Sequence, residues 1–206
     1  MDQKIKNDIN FGTDGWRGII GLDFNYENLS KVVLAACQEL NYQYFDKVKT
    51  KKILVGYDRR FMASEFADAI IPVILGAGFE PVLSSSYVTT PSCSFYARKF
   101  KFLGALVITA SHNPYNWLGL KIKSFQGCSV DESFTEKVQK RISLGNKIEI
   151  LDGPYEKVDV KNYHLDEIME EVGKENNIPK YYISENYDTG RINTPRIYYF
   201  EIRKWE

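Results

Sequence analysis

The chain has 206 residues, 44% of them apolar, and its 27 Lys and Arg balance 27 Asp and Glu. That composition supports one domain with a packed core, or one domain and part of a second, and excludes a disordered chain. Zero net charge gives no electrostatic reason to expect nucleic acid or an anionic membrane as partner, so any cations that matter act locally. Cys37, Cys93 and Cys128 stand far apart with no CxxC pair, which argues against a disulfide framework or a zinc site. The polar stretch Met1–Asn10 is not a signal peptide by pattern, and the apolar stretches Ala69–Ala77 and Phe102–Ala110 are too short to span a bilayer. A reduced cytoplasmic location is the expectation.

In chain order, Phe11–Gly21 reads as a loop, and Leu29, Val32, Val33, Ala36, Leu40 and Tyr44 then recur at helical spacing. Lys52–Tyr57 is a short apolar run expected to be a buried strand. A helix is expected from Ser64, as N-cap, to Leu75, kinked by Pro72 and stopped by Gly76 and Gly78. Phe79–Leu83 reads as a strand. Thr90 followed by Pro91 marks the start of a helix reaching Phe100. Gly104–Thr109 and Leu118–Lys123 read as two further strands. Alternation of strand and helix implies an α/β fold, three layers deep, around a mostly parallel (mixed) sheet. A domain over residues 1–150 is expected, followed by 151–206 as linker and tail: an acidic helix at Leu165–Val172, then a tyrosine-rich stretch beyond Asn176 in which Asp188-Thr189-Gly190 could turn a hairpin.

Four segments could carry chemistry. Thr109-Ala110-Ser111-His112-Asn113-Pro114 follows a buried strand, and open α/β sheets gather reactive groups at the carboxyl ends of strands. Pro114 keeps Asn113 out of helical geometry. The same loop could equally be polar residues bonding their own backbone. Phe11–Gly18 (FGTDGWRG) holds three glycines and Arg17; it suits either an anion site or a turn with a structural Arg–Asp pair. Gly56–Arg60 (GYDRR) puts charges at a strand end, and Lys121 lies shortly beyond the serine loop. A hydrolase triad is disfavoured: there is no GxSxG, and of the two histidines His112 is the immediate neighbour of Ser111.

Taken in order, FGTDGxRG, GxDxR, Thr-Pro before a helix, TASHNP and the downstream Gly119-Leu120-Lys121 resemble the first domain of the α-D-phosphohexomutases, the phosphoglucomutase/phosphomannomutase family, over roughly residues 10–150. The resemblance implies an isomerase-class phosphomutase, which moves a phosphoryl group between the 1- and 6-positions of a hexose phosphate through a phosphoserine and a hexose 1,6-bisphosphate. By the same resemblance Ser111 is the phosphoserine and a Mg²⁺ ligand, Arg17 neutralises the phosphate, Lys121 assists proton transfer, and His112 and Asn113 shape the loop and contact phosphate or substrate. Arg60 contacts phosphate or, with Asp58, braces the site.

Three departures from the family pattern stand out. The metal loop, an Asp-Gly-Asp-x-Asp-Arg run of the second domain, is absent from the sequence, as are the sugar-reading and phosphate-binding loops of the third and fourth. Leu118 stands where the family has asparagine. The expectation is therefore a truncated mutase, inactive unless a complementing chain supplies domains II–IV, or else a non-catalytic sugar-phosphate-binding or interaction module.

Overall fold

The computed structural model describes residues 9–12 and 15–175. Two units make up the chain, Met1–His164 and Leu165–Glu206; in the second, residues 165–175 are described and are helical. The expected hairpin at Asp188-Thr189-Gly190 and the tyrosine-rich stretch lie outside the described residues.

The first unit is a seven-stranded sheet in the order β1-β2-β6-β5-β3-β4-β7. Its strands are β1 (Phe11–Gly12), β2 (Gly15–Ile19), β3 (Lys52–Tyr57), β4 (Glu80–Ser84), β5 (Gly104–Ile108), β6 (Trp117–Ser124) and β7 (Glu156–Val158). Strands β2, β3, β4, β5 and β7 run one way, and β1 and β6 run the other. The carboxyl ends of β2, β3 and β5 therefore share one edge with the start of β6.

Among the described residues there are six helices: α1 (Tyr26–Val48), α2 (Ala63–Ala69), α3 (Ile71–Gly76), α4 (Thr90–Lys99), α5 (Glu132–Ser143) and α6 (Val160–Glu175). Side chains from α1, α2, α3 and α5 pack with Ile53, Val55, Leu106, Ile108, Leu118, Leu120 and Ile122. The opposite sheet face, with Leu54, Val82, Ala105 and Val107, meets Cys93 and Ala97 of α4 and Val160 of α6. Period-two alternation thus divides each central strand between two cores, giving three layers.

Several elements depart from expectation. The segment expected to be a loop at Phe11–Gly21 is a pair of strands. Glycines weaken strands by about 0.5–1 kcal/mol each, but Trp16 is buried against Phe24, with ring centroids 4.9 Å apart, and burying such a ring is worth about 4 kcal/mol. The ring wins. Gly15 is also required where it stands: φ is 101°, and a Cβ would lie 2.2 Å from the Leu120 carbonyl oxygen.

The single kinked helix is two helices split at Ile70, with Pro72 in the first turn of the second, where its missing N–H leaves no gap. Met62, not Ser64, precedes α2, and the Ser64 hydroxyl donates to Glu65 instead. Helix α4 is capped by Thr89, whose Oγ1 accepts from Ser92 N, so Thr90 and Pro91 stand inside its first turn. Helix α5 was not among the expected elements, although Asp131 caps it and Phe134 and Val138 bury at a spacing of four. Strand β7 pairs with β4 and extends the sheet as far as Val158. No described helix is long and apolar enough to cross a membrane.

Candidate functional site

The loop between β5 and β6 opens at the sheet edge where β2, β3 and β5 end. Ser111 and His112 are exposed, while Thr109 and Ala110 behind them are buried. Ser111 has φ 57°, the left-handed region that costs a non-glycine residue roughly 1 kcal/mol. Local bonds over-determine it: Ser111 N donates to Thr109 Oγ1 at 3.0 Å, and Asn113 N donates to the Ala110 carbonyl at 3.1 Å. The loop bonds its own backbone, and by doing so it turns the serine outward.

Arg60, three residues past the end of β3, clamps the loop from the side. Its Nη2 donates to the carbonyls of Ser111 (2.6 Å) and Asn113 (2.7 Å), and its Nη1 to those of Pro114 (2.9 Å) and Trp117 (3.2 Å). Asp58 aims the fork: its carboxylate accepts from Arg60 N at 2.9 Å and sits 3.6 Å from Arg60 Nε. With both terminal nitrogens taken up by carbonyls, Arg60 braces the loop. Carbonyls collected at one point leave a negative lining that a fixed guanidinium neutralises.

Arg17 approaches from the other flank. It pairs across the sheet with Gly119, and its Nη1 donates to Asn113 Oδ1 at 2.8 Å. Glycine at 119 is what admits the arginine stem, since a Cβ there would lie 2.9 Å from Arg17 Cγ and 2.6 Å from the Trp16 carbonyl oxygen. Lys121, half-buried, is two residues along β6 from Gly119, so Arg17, Gly119 and Lys121 share one sheet face. Thr13 and Asp14 of the FGTDG turn lie outside the described residues. Leu118 is fully buried and packs in the larger core, on the face opposite Arg17.

Ser111, His112, Asn113, Arg60 and Arg17 are thus brought together, and Lys121 lies on the flank that Arg17 occupies. The four carbonyls that Arg60 gathers were not legible in the residue order, because carbonyls have no sequence signature. Burial pushes the Cys37 and Cys93 thiols up to about 12, and a protonated thiol is a poor nucleophile. A magnesium ion takes several oxygen ligands, mostly carboxylates and water. Among the described residues no three His, Cys, Asp or Glu side chains come together to hold a metal, so Ser111 and its neighbours do not by themselves fit one.

The family description "Phosphoglucomutase/phosphomannomutase, alpha/beta/alpha domain I" matches residues 8–148. A phosphoglucomutase of Staphylococcus haemolyticus is 33% identical over 171 residues, which are 82% of this chain and 31% of that protein. A phosphoglucosamine mutase of Finegoldia magna is 33% identical over 140 residues, 68% of this chain and 30% of that protein. Among solved structures, a Thermus thermophilus protein described as a phosphomannomutase superposes with a TM-score of 0.69 at 31% identity, covering 79% of this chain and 35% of its own. A Burkholderia thailandensis protein of the phosphoglucomutase/phosphomannomutase family, at 23% identity and a TM-score of 0.63, covers 76% of this chain and 34% of its own and agrees in fold. The chain spans about a third of the length of these relatives. A matching domain over residues 8–148, on a sheet that presents the TASHNP loop at its edge, makes this chain a member of the phosphoglucomutase/phosphomannomutase family.

Proposed function

We propose that Ser111 carries a transferable phosphoryl group and that the chain is the phosphoserine-bearing part of a phosphohexomutase. The observation that carries this reading is an exposed serine in a left-handed conformation, with its own carbonyl held by Arg60 and its neighbour Asn113 held by Arg17. Phosphoryl transfer asks a protein mainly for alignment and charge stabilisation. A phosphoserine bears about −1.5 to −2 charges at neutral pH, and Arg17, Lys121 and His112 are the cationic or hydrogen-bonding groups to receive it.

In the forward half-reaction the Ser111 Oγ–P bond breaks as a hydroxyl oxygen of a hexose monophosphate bonds to phosphorus. The hydroxyl proton passes to a base, a step in which Lys121 takes part, and Ser111 Oγ takes up a proton as it leaves, so the exchange is proton-neutral. The resulting hexose 1,6-bisphosphate then returns its other phosphate to Ser111 Oγ. Asn113 contacts phosphate or sugar, and Arg60 keeps the loop rigid throughout. The chain covers about a third of the length of its relatives, and turnover is expected only where domains II–IV, in the same or a complementing chain, supply the carboxylates for Mg²⁺. The three cysteines, none in a disulfide, accord with a reducing cytoplasmic setting.

Intact-mass measurement after incubation with hexose 1,6-bisphosphate, with and without Mg²⁺, tests this. One added phosphate, mapped to Ser111 and lost in Ser111→Ala, is the expected outcome. No added phosphate, with hexose phosphate still bound, would instead make the chain a non-catalytic sugar-phosphate-binding module.

A further inference from the structure

A second charged cluster lies on the other side of β3 from the serine loop. Where Arg60 turns toward the β5–β6 loop, its neighbour Arg59 turns toward the segment between β4 and α4 and meets Tyr87. The Arg59 guanidinium carbon lies 3.6 Å from the centre of the Tyr87 ring, and Arg59 Nη2 donates to the Tyr87 hydroxyl. Lys161, in the first turn of α6, brings its Nζ to 5.0 Å from the same ring centre. Three separate elements therefore converge on one phenol: the end of β3, the β4–α4 connection and the start of α6.

Among the described residues neither Arg59 nor Lys161 forms an ion pair with a carboxylate. Asp159, the acid nearest Lys161 in sequence, is engaged by the backbone N and the side-chain amide of Asn162 at 3.0 and 2.7 Å. Aromatic faces hold cations at about 0.5–1 kcal/mol each in exposed settings, too little to explain two cations on one ring when each repels the other. An anion between them turns that repulsion into a shared attraction. The Tyr87 phenol registers the same field, its acidity raised by the Arg59 hydrogen bond and by Lys161.

We infer that Arg59, Tyr87 and Lys161 form a second anion site, separate from the serine loop, that takes the phosphate of a small phosphomonoester. Arginine supplies a planar fork matched to phosphate oxygens, lysine a compact charge, and the phenol a third donor. The site stands independently of phosphoryl transfer at Ser111, because the side chains of Arg59, Tyr87 and Lys161 meet one another rather than the β5–β6 loop.

The experiment titrates the isotope-labelled 206-residue chain with inorganic phosphate and, in parallel, with a hexose 6-phosphate, and follows backbone amides and the Arg59 side-chain N–H by NMR. Saturable shifts at Arg59, Tyr87 and Lys161 are expected. Arg59→Gln and Lys161→Gln should each weaken the affinity about tenfold or more, as loss of a charge-assisted hydrogen bond requires, and Ser111→Ala should leave these shifts unchanged. A tighter fit for the sugar phosphate would identify a phosphosugar as ligand; equal affinity would identify the bare phosphate group. The Tyr87 phenol, read as the ultraviolet difference between the wild type and Tyr87→Phe, should titrate at higher pH once phosphate is bound. Shifts confined to residues 109–121, or a titration indifferent to both Gln variants, would overturn the inference.

Discussion

Arg60 holds Ser111 by its backbone, Nη2 to carbonyl oxygen at 2.6 Å across 51 residues of sequence. The contact leaves the serine hydroxyl out of the clamp and fixes only the chain that presents it. The same fork closes on Asn113, Pro114 and Trp117. One side chain therefore sets the shape of the β5–β6 loop.

Arg60→Lys should keep the charge and lose the shape. A lysine has one nitrogen where four carbonyls are gathered by two. The expected result is a loss of about 2 kcal/mol in urea unfolding, and a fall of tenfold or more in the rate at which Ser111 gains phosphate. Wild-type phosphorylation kinetics in the lysine variant would refute the bracing role.

Ser111→Gly should separate strain from function. The left-handed backbone at 111, φ 57°, suits glycine, so the variant should gain up to about 1 kcal/mol of stability, less what glycine's unfolded-state entropy removes. It should accept no phosphate. A melting temperature lower than that of Ser111→Ala would show that the strain is not relieved there.

Gly119→Ala should disturb Arg17 as much as the sheet. The added Cβ meets the Trp16 and Thr109 carbonyl oxygens at 2.6 and 2.9 Å, and backbone gives way less than side chain. A destabilisation of about 2–3 kcal/mol is expected, with loss of the Arg17–Asn113 contact visible in the Asn113 side-chain amide resonances. An unchanged melting curve would contradict the register of β2 on β6.

His164 should make its own packing against α4 sensitive to pH. Its Nδ1 lies 2.9 Å from Ser92 Oγ and its ring 4.8 Å from that of Phe95. Burial lowers its pKa below the ordinary 6.5, so the fold prefers the neutral ring. The resulting stabilisation is complete above about pH 6.5 and is lost as pH falls through the lowered folded value, because the unfolded chain takes the proton first. Thermal melts from about pH 8 to about pH 5 should show a decline that His164→Gln reduces. An equal decline in both would assign it to other groups.

Local pattern carried much of this protein in its sequence. The apolar runs Lys52–Tyr57 and Gly104–Ile108 are strands within a residue of their expected limits, and Leu29 to Tyr44 lie on one helix, because buried periodicity is written into neighbouring residues. The motif order identified the family for the same reason. Asp131, Phe134 and Val138 carried an equally local signal for α5.

What tertiary structure alone decided concerns residues that depend on partners far along the chain. Glycine-rich Gly15–Ile19 is a strand because Trp16 finds Phe24 and because β6 offers it a pairing edge. The short Glu156–Val158 is a strand because β4 has an open edge. Arg60 braces four carbonyls, and Arg59 shares Tyr87 with Lys161, through contacts set by chain folding rather than by spacing. A hydrogen bond to a backbone carbonyl, or a cation on a distant ring, leaves no trace in the order of residues, since any residue offers a carbonyl and only the assembled fold brings the donor to it.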